Sequence, residues 1–169
     1  STKTCWAQWA KMVEAAGADA IEMNLSCPHS DYVMNETGRM NSFIAEMVPV
    51  VKQAVHIPVF TKMTPQLENP IYTAQVMEQG GSDGICAFSR CLGLDIDIEK
   101  QAPVLHGGYG GHGGPWSIHY ALRWISEMYT KTRLPISGCG GVVEGDDVIK
   151  YILAGSTAVQ VCFLVYAYG

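Results

Sequence analysis

The chain has no apolar run near the roughly 18 residues a membrane-crossing helix needs. Its opening, Ser1-Thr-Lys-Thr-Cys-Trp6, does not read as a signal peptide. Charge is scarce, at 16% of residues, and acidic groups outnumber basic ones 16 to 11. The resulting net charge of −5 argues against a nucleic-acid partner, although a local basic patch would not show in the total. No CxxC pair and no zinc-spaced Cys/His cluster is present. The 18 glycines follow no G-X-Y period, which excludes a collagen-like chain. There is no linker, low-complexity tract or short internal repeat. What is there is 169 residues, 48% hydrophobic, enough for one domain with a sizeable core. The six cysteines, at 5, 27, 86, 91, 139 and 162, fall mostly in apolar or glycine-rich strand-like runs. They read as reduced thiols of a cytoplasmic protein rather than a disulfide framework.

Periodicity supplies an order of elements. Trp6, Trp9, Ala10, Val13 and Ala16 recur at helical spacing, and Gly17 is placed to end that helix. Residues 20–26 then alternate. Ile21, Met23 and Leu25 share one face, and Glu22, Asn24 and Ser26 the other. A loop follows from Pro28 to about Asn41. A helix over 42–55 contains Pro49, which should kink or delay it. Strands are predicted at 57–63, 83–88, 134–137 and 157–161. Helices are predicted from Asn69-Pro70 to Gln79, from Ser117 onward, and over 144–153. A glycine-rich loop is expected from about Ser89 to Pro115, and the run Gly107–Gly114 reads as too glycine-dense for regular structure.

Helices and strands thus alternate, which implies right-handed βαβ units and a parallel α/β sheet. Five strands suit a doubly wound sheet or part of a (β/α)8 barrel. A chain that opens on a helix and closes just after a strand reads like the last five strands of a TIM barrel, lacking the first three and the final helix. The expected domain is therefore residues 1–169 as the C-terminal part of one barrel, truncated.

In such folds ligands sit at the carboxyl ends of the strands. The unusual residues collect there: Asn24 to His29, Lys62, Ser89-Arg90, Gly138 to Gly141, and Cys162-Phe163. Lys62 lies on a barrel-lining face and must find a partner. It either pairs with Glu22 on the neighbouring strand or stabilises an anionic ligand or reduced cofactor. Cys27 is either an inert loop cysteine or a thiol that gives and takes a proton. Gly140-Gly141 is either an ordinary tight turn or a backbone cradle for phosphate. His106, His112 and His119 do not form a metal motif.

Several segments together resemble the FMN-binding barrel of the dihydropyrimidine dehydrogenase and dihydroorotate dehydrogenase family, closest to the dihydropyrimidine dehydrogenase branch. They are Ile21-Glu-Met-Asn-Leu-Ser-Cys-Pro-His29, Val59-Phe-Thr-Lys-Met-Thr-Pro65, Tyr109-Gly-Gly-His-Gly-Gly114 with Ala121-Leu-Arg123, Ile136-Ser-Gly-Cys-Gly-Gly141 and Val159-Gln-Val-Cys162. The likeness runs from about Trp6 to Val165 in unbroken motif order. It implies an FMN-dependent oxidoreductase acting on a CH–CH bond of a dihydropyrimidine- or dihydroorotate-like substrate. It implies Cys27 as the catalytic proton donor or acceptor, Asn24 as a substrate hydrogen-bonder and Lys62 as a flavin contact. It also implies Gly113, Gly140, Gly141, Cys162 and Phe163 as backbone lining the FMN phosphate and ribityl chain.

Two departures from the family pattern matter. Ser89-Arg90 stands where the pyrimidine-reducing enzymes carry Asn-Thr to read the substrate amide. A guanidinium suits a carboxylate or phosphate better than a neutral pyrimidine. The chain also lacks the family's first three strands. A non-catalytic phosphate-ligand-binding or scaffold fragment is therefore the alternative reading. A tRNA dihydrouridine synthase, which also uses a Cys-Pro motif in an FMN barrel, is disfavoured by the acidic charge. With no NAD fingerprint and no iron–sulfur spacing, electrons would pass through a separate domain or subunit. The expected partners are that electron carrier and a small-molecule substrate, with no nucleic acid and no membrane; homo-oligomerisation is left open.

Overall fold

The computed structural model describes residues 2–25 and 39–168. Helix α1 (Lys3–Ala15) starts at Thr2, whose hydroxyl accepts from the Cys5 amide. Strand β1 (Ile21–Asn24) follows, then α2 (Met40–Ala54), β2 (Val59–Met63), α3 (Pro70–Gln79) and β3 (Gly84–Ala87). After a β excursion come α4 (Ile118–Met128), β8 (Ile136–Cys139), α5 (Gly145–Leu153), β9 (Ala158–Gln160) and the short α6 (Phe163–Tyr168). A reading that ended the chain just after a strand missed α6, a helix of 6 residues with no buried side chain to give it an apolar stripe.

Strands β1, β2, β3, β8 and β9 form one parallel sheet in that order. Its outward residues, Met23, Val59, Met63, Ile85, Ala87 and Ile136, join the helices in a single core. The apolar face of α2 (Phe43, Ile44, Met47, Val48 and Val51) is buried there. Pro49 does not break α2: the helix runs through it. The carbonyl that proline leaves unbonded belongs to Ala45, an exposed residue. Asp83 ties three elements together, accepting from Lys52 on α2 and from the Val59 amide of β2 at 2.7 Å, just ahead of β3. All of this lies on one side of the sheet. The other face carries Glu22, Phe60, Lys62 and Cys139, none of which belongs to the core. Parallel sheets are covered on both faces in α/β folds, so a one-sided parallel sheet is the geometry of a barrel segment.

The stretch between β3 and α4 is not a plain loop. Strands β4 (Cys91–Leu94) and β7 (Tyr109–His112) pair antiparallel, and β5 (Ile96–Asp97) pairs with β6 (Ala102–Pro103). Glycine density here serves close packing rather than disorder. The His112 imidazole lies over Gly93, where a Cβ would collide with it, and stacks on Trp116 at 5.3 Å between centroids.

Candidate functional site

Alternation along the strands places Glu22 and Asn24 of β1, Lys62 of β2, Cys86 of β3, Cys139 of β8 and Gln160 of β9 on the concave face. The registers agree: Asn24 lies beside Lys62, Lys62 beside Cys86, and Cys139 beside Gln160. Four of these side chains meet. Lys62 Nζ donates to Glu22 Oε1 at 2.8 Å and to Gln160 Oε1 at 3.1 Å. Gln160 Nε2 donates to Glu22 Oε2 at 2.5 Å, and the Cys86 thiol donates to the same oxygen at 3.0 Å. Gln160 Nε2 also lies 3.4 Å from Cys86 Sγ.

The Gln160–Glu22 contact shows how far the sheet is rolled. These residues sit on its two outermost strands. Strands about 4.8 Å apart would place β1 and β9 about 19 Å from each other in a flat sheet, beyond the reach of two side chains. The contact is a chord across a curved wall, as in a barrel.

Electrostatics follow from this packing. Burial pushes the Glu22 carboxyl up, but hydrogen bonds from Cys86, Lys62 and Gln160 outweigh it, so its pKa is lowered. Burial pushes Lys62 down, but the hydrogen bond to Glu22 and the charge of that carboxylate prevail, so its pKa is raised. Both groups are therefore charged at neutral pH. Burial first, then Glu22, drives the Cys86 thiol far above its ordinary range, and burial also raises Cys139. Both shifts favour the protonated thiol over the nucleophilic thiolate.

Apart from Lys62 within β2 and Gly113 after β7, the described candidates follow or end strands of the parallel sheet. Asn24 ends β1. Ser89 follows β3, its amide bonded to Met63 O at 2.8 Å. Arg90 is exposed and lies against Gly111 and Gly113, where added Cβ atoms would stand 3.1 Å from its Nε and 3.6 Å from its Cγ. Its charge reaches Cys139, whose pKa it lowers in part. Gly140 and Gly141 turn the chain after β8 at φ of 111° and 72°. A Cβ on Gly141 would come within 2.7 Å of the Ile118 amide, so the turn needs glycine twice over. Tyr151 Oη donates to Gly140 O at 2.6 Å and holds the turn from below. Cys162 and Phe163 follow β9 and are exposed. Cys27 lies outside the described residues. No metal-holding group of His, Cys, Asp or Glu occurs among the described residues.

Of the two readings of Lys62, the pairing with Glu22 is present. Gln160 and Cys86 as members of the cluster went unforeseen. Contact between β1 and β9 depends on curvature, which has no local signal. A separate cleft of about 250 Å³, lined by Tyr129, Arg133, Pro135 and Thr157 among others, opens at the opposite, amino end of β8.

Comparison with known proteins gives a consistent picture. Residues 3–168 match the family model described as dihydroorotate dehydrogenase. The catalytic subunit of dihydroorotate dehydrogenase B (NAD(+)) from Methanocaldococcus jannaschii is 35% identical over 164 residues, covering 97% of this chain and 53% of that protein. Dihydroorotate dehydrogenase A (fumarate) from Limosilactobacillus reuteri is 36% identical over 89% of this chain and 49% of its own length. The chain thus spans about half the length of these relatives. The crystal structure of dihydroorotate dehydrogenase from Eimeria tenella with ferulenol superposes on all of the chain and 50% of its own, with a TM-score of 0.80 at 19% identity. That likeness speaks to the fold: a five-stranded parallel α/β sheet matching half of a barrel.

Proposed function

The chain belongs to the dihydroorotate dehydrogenase family, and on that premise we propose that it is the C-terminal part of a cytoplasmic FMN-dependent oxidoreductase barrel. The reaction is oxidation or reduction of a CH–CH bond in a dihydropyrimidine- or dihydroorotate-like substrate. The observation that carries this reading is the Lys62 ammonium, held by Glu22 and Gln160 on a concave polar face below the strand-end rim.

The residues fit a flavin mononucleotide. The face offers an ammonium held in place by Glu22 and Gln160, and the turn at Gly140-Gly141 presents backbone at positive φ at the end of β8. Bound there, FMN would supply two-electron hydride chemistry. The chain's own groups do the rest. Lys62 contributes a cation beside the ring, and Gly113, Gly140, Gly141, Cys162 and Phe163 offer backbone to the phosphate and ribityl chain. Asn24 hydrogen-bonds substrate, and Cys27 holds or moves the proton at the carbon next to the hydride site. Ser89 and Arg90 face the substrate. Arg90 favours one bearing a carboxylate, whereas the motif from Ile21 to His29 supports the dihydropyrimidine dehydrogenase likeness.

The Methanocaldococcus relative's name, a catalytic subunit, supports a separate electron-transfer subunit for this chain too. The same Arg90 and the open concave face support the second reading, a fragment that binds a phosphate ligand without turnover.

One experiment separates these. The protein is reconstituted with FMN, freed of unbound cofactor, and its flavin absorbance is followed anaerobically on adding dihydroorotate or dihydrouracil. Bleaching by either supports the enzyme, and the better one names the substrate class. Cys27→Ala should keep its flavin and lose the bleaching. Full bleaching by that variant removes Cys27 from the chemistry. Retained FMN with no bleaching leaves the binding fragment, and no retained FMN overturns the flavin enzyme.

A further inference from the structure

Lys62 has three N–H donors and no acceptor. Two are taken, by Glu22 at 2.8 Å and Gln160 at 3.1 Å. Neither acceptor is itself loose. Glu22 Oε2 receives Gln160 Nε2 and the Cys86 thiol, so the carboxylate is pinned from β3 and β9 as well as by its own strand. Gln160 uses both ends of its amide, giving to Glu22 and receiving from Lys62. A four-carbon lysine stem is ordinarily mobile. Here the ammonium is fixed by a closed ring of bonds drawn from four strands, and among the described residues one donor remains.

We propose that Gln160 and Glu22 are positioning residues for Lys62, leaving a single N–H for the ligand and setting the net charge the ligand meets. This deepens the proposed function and rests on its placement of FMN beside Lys62. Among the described residues, the charged and titratable groups facing Lys62 are Glu22 from β1, Cys86 from β3 and Cys139 from β8. Both thiols have raised pKa values and stay neutral, so Glu22 is the compensating charge. Gln160 adds none. Its amide orients without neutralising, a job that a carboxylate or an apolar side chain at 160 would do differently.

The distinguishing test is a pair of near-isosteric changes with opposite charge. Glu22→Gln removes the compensating anion and Gln160→Glu adds a second. Without any cofactor, the titration of the Lys62 side chain is followed by heteronuclear NMR. The Lys62 pKa should fall in Glu22→Gln and rise in Gln160→Glu. With FMN bound, the flavin midpoint potential should move upward in Glu22→Gln, where more positive charge meets the ring, and downward in Gln160→Glu. A role confined to packing moves neither with the sign of the charge. Gln160→Met, which keeps the volume but not the amide, should weaken FMN binding about tenfold, as expected for one hydrogen bond to a charged group.

Unchanged Lys62 titration in both charge variants, or potentials that shift in the same direction, overturns the proposal. A chain that takes up no FMN overturns the proposed function instead. The cofactor-free titration then still decides whether Glu22 and Gln160 govern Lys62.

Discussion

Glu22 accepts three hydrogen bonds on two oxygens, from Lys62, Gln160 and Cys86, and that coordination makes the stability of the concave face depend on pH. A carboxyl with a lowered folded pKa adds stability above its unfolded value, about 4.3. That contribution drains away as pH falls through the lowered folded value. Lys62, with a raised pKa, contributes below about 10.4 and loses the contribution as pH rises through its folded value. Glu22→Gln should therefore flatten the acid limb of a stability–pH profile measured by urea unfolding. An acid limb identical to wild type would remove Glu22 from that limb. The thiols sort by environment in the same way. The Thr2 hydroxyl lowers the Cys5 thiol, which is exposed, while burial raises Cys86 and Cys139. Limited alkylation read by peptide mass spectrometry should mark Cys5 well before Cys86 or Cys139. Gly141→Ala should cost about 1–3 kcal/mol in chemical denaturation, because it strains a positive φ and crowds the Ile118 amide.

At the scale of elements, local chemistry was legible where a cap or a period announces itself. Asn69 accepts from the Ile71 and Tyr72 amides, both at 3.1 Å, with Pro70 opening α3 as its sequence predicts. Asn69→Ala should lower stability by about 1 kcal/mol, measured by denaturant midpoint at unchanged slope. The β excursion was not legible. Strands β4 and β7 pair residues such as Cys91 and His112. Their stability comes from that distant pairing and from side chains lying over glycine, so neither run carries a strand signal of its own. Pro49 shows the converse: a strong local breaker lost to a buried apolar face on both sides of it in α2.

At the scale of the molecule, a parallel sheet with helices on one face leaves a bare polar wall. Among the described residues, the outer edges of β1 and β9 pair with no strand. A ligand that fills the concave face should therefore stabilise strongly. FMN at about 100 times its dissociation constant should add about 2.7 kcal/mol, read as a concentration-dependent rise in Tm; a Tm independent of FMN would count against the site. The sequence alone determined the alternation of helices and strands, the two faces of the first two strands, and the gathering of Asn24, Lys62, Ser89-Arg90, Gly140-Gly141 and Cys162 toward strand ends. These follow from periods of 2 and 3.6 residues, which are local properties of the backbone. Only the tertiary structure decided that β1 and β9 curl toward each other, so that Gln160 closes on Glu22 and Lys62 across 138 and 98 residues of chain. Curvature is a sum of small twists over the whole sheet. No single stretch of sequence carries it.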